Sequence, residues 1–252
     1  MTDNSRPSGD SETFMCGTPN PIDSIETTYN GDLRPDHRFD AEPESHAQRT
    51  ALLLIIDRSG SMDSVRDDMV GGLQRMLDDQ ASLPGTATVD IVTFDSVVEV
   101  QCSMIDIADV RVSLVPRGLT ALHDGLGIAI TGFSEAIEAL PIERRPDAVQ
   151  VIVVSDGQEN ASREYSAGQV YELVQSHQRD HGWEFVFLGA EQDAVLTGTR
   201  LGFDAGSSMT FATKGEQVDS MSASLSRYVS DVRRRKKELF AEQERRQAGG
   251  AE

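Results

Sequence analysis

The chain has 252 residues, a formal net charge of −19 at pH 7 and only two cysteines. So large an acidic excess disfavours general binding to nucleic acids, because contacts with phosphates need clustered Lys and Arg. Two cysteines do not imply a disulfide framework, and no apolar run reaches the length of a membrane span. The N-terminus lacks the basic start and apolar segment of a secretory leader, so we expect a cytoplasmic protein without membrane contact.

The N-terminal residues 1–49 are rich in Ser, Thr, Asp, Glu, Pro and Gly, and they show no apolar periodicity. Prolines at positions 19, 21, 35 and 43 interrupt any regular element. We therefore predict that residues 1–49 form a disordered or loosely docked arm. The folded domain is predicted to span residues 50–230.

Strands and helices alternate through this predicted domain. The continuous apolar run Ala51–Ile56 predicts a buried central strand, and Ala148–Ser155 predicts a second strand of the same kind. Between them, Thr88–Phe94 and Val97–Cys102 are separated by only two residues, which predicts an antiparallel hairpin at the edge of the sheet. The pattern is typical of an α/β fold in which helices cover both faces of a doubly wound, mostly parallel sheet.

A helix is predicted after the first strand, and either Asp63 or Ser64 is positioned to cap its N-terminus. The pair Gly71-Gly72 lies inside this helix and weakens it, because glycine has a low helix propensity. We interpret the pair as a place where the helix packs closely against the sheet.

The C-terminal residues 231–252 are predicted to form a charged helical extension or tail that continues from the last helix of the domain. Five basic residues, 233–237, are followed by Glu238, Glu242 and Glu244. This mixture of charges is typical of a solvated helix with salt bridges. We therefore expect no nucleic-acid partner.

The apolar run of the first strand leads into Asp57, Ser59 and Ser61. In an extended segment, residues i, i+2 and i+4 lie on one face, so these three oxygen-bearing side chains can converge on one point. Carboxylate and hydroxyl oxygens suit Mg²⁺ or Mn²⁺, whereas zinc prefers Cys and His. The same residue types are also common in helix caps and turns, so this segment alone leaves both interpretations open.

Two further segments carry oxygen ligands where a strand or a loop leads into a helix or turn. Thr120 lies in the segment Gly-Leu-Thr-Ala-Leu, and Asp156 follows the strand that ends at Ser155. Taken alone, Thr120 is an ordinary helix cap. In an open, mostly parallel sheet, ligands bind beyond the carboxyl ends of the strands, and Thr120 and Asp156 are expected at that edge together with Asp57.

In their order and approximate spacing, five residues resemble the metal-ion-dependent adhesion site (MIDAS) of von Willebrand factor type A domains: Asp57, Ser59, Ser61, Thr120 and Asp156. The resemblance covers about residues 50–230. It is greatest to the intracellular bacterial and phage branch, with a third loop like Ser-Asp-Gly-Gln-Glu-Asn. It implies a Rossmann-like domain in which these five residues hold Mg²⁺ or Mn²⁺. His123 is left out of the predicted site because such ions prefer oxygen.

The same resemblance implies that a Glu or Asp side chain of a partner protein completes the coordination of the metal. We therefore predict a metal-dependent protein-binding module that is not an enzyme. One alternative is a Mg²⁺-dependent phosphohydrolase, but the haloacid-dehalogenase type needs a second Asp where this chain has Ser59. The chain also lacks a Gly-x-x-x-x-Gly-Lys phosphate loop and a convincing pair of nucleophile and base. Another alternative is a scaffold that uses other surfaces.

Overall fold

The structure, a computed structural model, describes residues 48–156, 158–190, 193–212, 215–234 and 240–249. The predicted N-terminal arm, residues 1–49, lies outside these ranges except for its last two residues. Arg49, the second of them, is already the first residue of a strand.

The strands of the described part of the chain are β1 (Arg49–Asp57), β2 (Thr86–Phe94), β3 (Val98–Asp106), β4 (Ala148–Ser155), β5 (Glu184–Ala190) and β6 (Ser208–Phe211). They form one sheet in the order β3-β2-β1-β4-β5-β6. Strand β3 runs antiparallel to β2, and the other neighbouring strands are parallel. The prediction of a mostly parallel sheet with one antiparallel edge hairpin is confirmed.

The α-helices of the described part are α1 (Arg66–Ala81), α2 (Leu122–Glu138), α3 (Ala167–His181), α4 (Ala194–Arg200), α5 (Gly215–Arg233) and α6 (Glu242–Gly249). Leu52, Leu54 and Ile56 of β1 pack with α1, α5 and α6. Leu53 and Ile55 pack with α2, α3 and α4 on the other face. Burial on both faces explains why the apolar run of β1 is uninterrupted. None of the described helices is long and apolar enough to cross a membrane.

The direction of chain order reverses between β1 and β4, which lie side by side at the centre of the sheet. The chain continues from β1 to β2 and β3 on one side, and from β4 to β5 and β6 on the other. Asp57 is the last residue of β1, and Asp156 directly follows β4. Both carboxylates therefore lie at the kind of crevice in which open parallel sheets bind their ligands.

Two expectations about α1 are wrong. Asp63 and Ser64 do not cap the helix, because they lie inside a short 3-10 helix, Gly60–Ser64, and α1 begins two residues later without a side-chain cap. The glycine pair is also not explained by contact with the sheet. The Oγ of Ser222, on α5, donates a 2.6 Å hydrogen bond to the carbonyl of Gly72. The side of α1 that carries Gly72 therefore packs against α5.

The residues that follow α5 take part in the core. Helix α6 packs beside α5 and β6, and Phe240 and Ala248, which were predicted to lie in the charged tail, are buried. Arg233 is buried as well, and its Nη1 donates a 2.6 Å hydrogen bond to the carbonyl of Gln80. The interpretation of Arg233 as a solvated residue is therefore wrong. Residues 235–239, with most of the basic cluster, lie outside the described ranges.

Replacing Gly125 with alanine should destabilise the fold, because α2 packs on the sheet at this residue. A Cβ atom at Gly125 would lie 2.6 Å from Cγ of Phe94, which is fully buried at the end of β2. We expect the free energy of unfolding to fall by about 1–3 kcal/mol, as overpacking outweighs the helix propensity of alanine.

Gly132 provides the control in the same helix, because a Cβ atom there would meet no other atom within 4 Å. The Gly132→Ala variant should be more stable than the parent by up to about 1 kcal/mol. Urea unfolding of both variants measures the difference. Equal effects of the two substitutions would show that the contact with Phe94 does not limit packing at Gly125.

Candidate metal centre

Four of the five predicted metal ligands form one chain of hydrogen bonds at the crevice. The Oγ of Ser61 donates to Asp156 Oδ1 over 2.8 Å and lies 3.1 Å from Ser59 Oγ. Ser59 Oγ is itself 3.5 Å from the same carboxylate oxygen. The backbone N–H of Ser59 donates to Asp57 Oδ1 over 2.7 Å. The loop after β1 and the residue that follows β4 therefore meet through the side chains that the sequence singled out.

Asp57 is fully buried at one end of this chain. Its Oδ2 accepts a 2.7 Å hydrogen bond from Ser155 Oγ, so a residue at the end of β4 fixes its orientation. Burial raises the pKa of Asp57, hydrogen bonds from Ser155 and Ser59 oppose the increase, and the charge of Asp156 adds to it. A buried carboxylate beside a second carboxylate is costly as an anion unless a cation accompanies it. A cation bound beside both aspartates would offset this cost.

Thr120 is buried, and the backbone of its loop connects it to the loops that carry the other predicted ligands. Its N–H donates to Asn160 Oδ1 over 2.9 Å, and its carbonyl accepts from the N–H of Asn160 over 3.0 Å. Two residues earlier, the carbonyl of Gly118 accepts a 3.3 Å hydrogen bond from the N–H of Gly60. The hydroxyl of Thr120 is not part of the chain of hydrogen bonds that links the other four predicted ligands. It does not cap α2 either, because Ala121 precedes the first turn.

Asp124, in the first turn of α2, holds the loop between β4 and α3. It is buried, and its carboxylate accepts hydrogen bonds from the N–H groups of Arg163, Glu164 and Tyr165 at 2.7, 2.9 and 2.8 Å. Sequence reasoning missed this residue. A carboxylate in a first helical turn is unremarkable, and its partners are about 40 residues away in the chain.

Glu159 closes the same loop on itself and on α2. Its Oε1 accepts from the N–H groups of Ala161 and Ser162 at 2.9 and 2.7 Å. Its Oε2 accepts from Ser162 Oγ at 2.6 Å and from the N–H of His123 at 3.0 Å. Burial raises the pKa of Glu159, but these hydrogen bonds outweigh burial and hold the pKa below its ordinary value. The polar segment after β4 is thus fixed by its own side chains.

Arg58 lies between two predicted ligands and points away from solvent. Its Nε donates to Asp95 Oδ2 over 3.1 Å, and its Nη1 donates to Glu99 Oε2 over 2.5 Å. Arg117 donates to the same two carboxylates over 2.8 and 2.7 Å. This network joins the loop after β1 to the β2–β3 hairpin and to the loop that carries Thr120. It therefore positions two of the three ligand loops relative to each other.

The network should make stability depend on pH through Glu99. The hydrogen bond from Arg58 lowers the pKa of Glu99 to about 2 from an ordinary value of 4.5; burial opposes the change and Arg117 adds to it. Because the folded-state pKa is the lower one, this stabilisation is present above pH 4.5 and is lost as the pH falls towards 2.

A comparison of the parent with Glu99→Gln measures this dependence by urea unfolding between pH 7 and pH 3. The parent should be more stable than the variant at pH 7, and its advantage should shrink steadily below pH 4.5. Glu135→Gln, a change at an exposed residue of α2, is the control and should show no such trend. An advantage that stays constant down to pH 3 would contradict the assigned ion pairs.

The donor set fits a small divalent cation that prefers oxygen. The predicted ligands offer two carboxylates and three hydroxyls, which is the chemistry of Mg²⁺ and Mn²⁺ sites that keep bound water. Within the described ranges, no group of three or more His, Cys, Asp or Glu side chains is arranged to hold a metal. His123 Nδ1 lies 3.7 Å from Glu159 Oε2, the carboxylate oxygen that also accepts from the backbone N–H of His123.

Several solved structures are similar to this chain. Proximal thread matrix protein 1 (PTMP1) from the mussel byssus, solved with a zinc-occupied MIDAS motif, matches with a TM-score of 0.55 and 18% identity over 73% of this chain and 46% of PTMP1. The pilus adhesin SpaC from Lactobacillus rhamnosus GG matches with a TM-score of 0.55 and 12% identity over 75% of this chain and 30% of SpaC. The PilB minor pilin from Streptococcus sanguinis matches with a TM-score of 0.50 and 11% identity over 76% of this chain and 63% of PilB.

No family model matches the chain, and no curated protein sequence matches it either. This chain spans less than half the length of PTMP1 and of SpaC, so the similarity concerns only part of each. Identities of 11–18% are informative about the fold alone. The strand order, the helices on both faces of the sheet and these structural neighbours show that the chain has a Rossmann-like von Willebrand factor type A fold.

Proposed function

We propose that the chain is a divalent-metal-dependent protein-binding module. In this proposal, Mg²⁺ or Mn²⁺ is held by the five oxygen ligands Asp57, Ser59, Ser61, Thr120 and Asp156. An Asp or Glu side chain of a partner protein completes the coordination. When bound, the cation supplies a positive charge that attracts a carboxylate at short range. Three of its protein ligands are neutral hydroxyls, so much of this charge remains available to the partner.

One observation carries the proposal. The loops after β1 and β4 bring Asp57, Ser59, Ser61 and Asp156 into one chain of hydrogen bonds, which runs through the backbone N–H of Ser59, at the point where the chain order reverses. The zinc-occupied MIDAS motif of PTMP1 supports a divalent metal in a fold of this kind. We propose Mg²⁺ or Mn²⁺ for this chain because the five residues include neither Cys nor His.

Affinity purification tests the proposal. The immobilised chain is incubated with an extract of the cells that make it, in Mg²⁺ or in excess EDTA. We expect at least one protein that is retained in Mg²⁺, released by EDTA and not captured by the Thr120→Ala/Asp156→Ala double variant. Moderate salt should not abolish capture, because it screens the acidic surface more than the short-range contact with the ion.

Other results, from this purification or from a phosphatase assay, would assign other roles. Capture of the same proteins in EDTA and by the double variant would show a scaffold that binds through another surface. Mg²⁺-dependent hydrolysis of p-nitrophenyl phosphate that is lost in Asp57→Asn would show a phosphohydrolase. We propose a binding role instead of catalysis because Ser59 occupies the position at which the dehalogenase-type mechanism needs a second carboxylate.

We also propose a cytoplasmic location and a relationship to the intracellular bacterial and phage branch of the family. The low cysteine content supports the first proposal, since reduced thiols are typical of the cytosol. The segment Ser155-Asp156-Gly157-Gln158-Glu159-Asn160 supports the second. Localisation of a tagged full-length chain in its own cells tests the first.

A further inference from the structure

A groove of about 540 Å³ lies beside the proposed metal site, between the start of α2, the loop after β4 and helix α4. Its floor is apolar, because Leu122 and Leu201 are buried there. Leu196, on α4, is 48% exposed at the rim. The volume is in the range of sites that enclose a small ligand or a large side chain. A half-exposed leucine beside an apolar floor is a surface that gains stability when it is covered.

The groove begins close to two of the proposed metal ligands. Leu122 follows Thr120 by two residues, and Gln158 follows Asp156 by two. Two residues span at most about 7 Å of chain. In an extended peptide, side chains two positions apart are also separated by about 7 Å and lie on the same face. A partner segment whose carboxylate reaches the metal can therefore place a nearby side chain in the groove.

The polar groups around the groove favour an acidic partner segment. Among the described residues that line the groove, both carboxylates already serve the chain itself. Glu159 accepts hydrogen bonds from its own loop and from α2, and Asp193 Oδ1 accepts a 2.9 Å hydrogen bond from the N–H of Leu196. Arg200 also lines the groove, and it forms no ion pair with any residue that the structure describes. Its guanidinium is left to contact an anion from outside.

We propose, on the basis of the metal-dependent function above, that the groove receives a large apolar side chain located two residues from the coordinating Asp or Glu of a partner. The occupant is a short, extended, acidic segment that contains Leu, Ile, Met or Phe. Its apolar side chain covers Leu196, and a flanking carboxylate contacts Arg200. The groove thus binds the apolar side chain, and the metal binds the nearby carboxylate, of one partner segment.

Selection from a peptide library tests the proposal on the full-length chain. The probe is a library of nine-residue peptides with Asp or Glu fixed at the centre and the other positions randomised. Peptides bound in Mg²⁺ and released by EDTA are sequenced. We expect roughly tenfold or greater enrichment of large apolar residues two positions from the fixed acid.

Three variants make the result specific to the groove. Leu196→Ser should remove the apolar preference, and Arg200→Gln should reduce the preference for a second acidic residue. Ile142→Ser, at an equally apolar but distant residue that is 79% exposed, should leave both preferences intact. Thermal melts of all three confirm that they are folded.

Failure of this inference differs from failure of the proposed function. Mg²⁺-dependent binding of acidic peptides without an apolar preference would overturn the role of the groove and keep the metal site. Survival of the apolar preference in Leu196→Ser would likewise overturn the role of the groove and keep the metal site. If no peptide bound in a Mg²⁺-dependent way, the proposed function and this inference would both be wrong.

Discussion

Replacing Asp57 with asparagine should weaken the binding of Mg²⁺ or Mn²⁺ by more than about 100-fold. Loss of residues that only support metal ligands typically costs 10–100-fold in affinity, and Asp57 is proposed to act on the metal itself. The variant removes one of two carboxylates, while its remaining oxygen can still accept from the N–H of Ser59. Its new amide group can donate to Ser155 Oγ in place of the present hydrogen bond.

Asp90→Asn is the matched control for this prediction. Asp90 is also a buried strand carboxylate whose pKa is raised by burial, but it accepts hydrogen bonds from Ser103 and Met104 in the edge hairpin, away from the crevice. The control should bind metal like the parent. Both variants should melt cooperatively, so that a loss of affinity in Asp57→Asn is not a loss of fold. Unchanged affinity in Asp57→Asn would show that the ligands are assigned wrongly.

Replacing Asp124 with alanine should lower the free energy of unfolding by about 2–4 kcal/mol. The substitution leaves three backbone N–H groups, those of Arg163, Glu164 and Tyr165, without their acceptor. Hydrogen bonds to a charged group contribute about 1.5–3 kcal/mol each. Part of this loss is offset when the freed N–H groups form hydrogen bonds with water. Metal affinity should fall as well, because the same loop holds Thr120 through Asn160.

Two further variants identify the cause of the effect. Asp68→Ala removes a carboxylate from the first turn of α1, where it is exposed, and should change stability by less than about 1 kcal/mol. Asp124→Asn keeps one acceptor oxygen and should lie between the parent and Asp124→Ala. If Asp124→Ala is no more destabilising than Asp68→Ala in urea unfolding, the carboxylate does not hold the loop.

The sheet could be predicted from the sequence because its signals are local. A strand buried on both faces needs an uninterrupted apolar run, and Leu52–Ile56 has one. A two-residue connection between strands permits little except a hairpin, and β2 and β3 form one. The five candidate ligands were identified through their resemblance to the metal-ion-dependent adhesion site, because each of their segments, taken alone, is also typical of a turn or a helix cap.

The supporting residues could not be predicted, because their partners are distant in sequence. In the sequence, nothing distinguishes Arg58 from an ordinary surface arginine. Its contacts with Asp95 and Glu99 are formed only in the folded chain. Arg233 belongs to a basic cluster in the sequence but is buried against the carbonyl of Gln80, more than 150 residues earlier. Helical periodicity also does not show which element a helix packs against, so the contact of Gly72 with α5 could not be predicted.

The number of metal ions bound per chain tests the central claim most directly. Mn²⁺ is titrated into the full-length parent chain, and free Mn²⁺ is measured by electron paramagnetic resonance. The account predicts one site per chain that Mg²⁺ displaces and that is lost both in Asp57→Asn and in the Thr120→Ala/Asp156→Ala double variant. Absence of such a site in the parent, or its retention in these variants, would contradict the account.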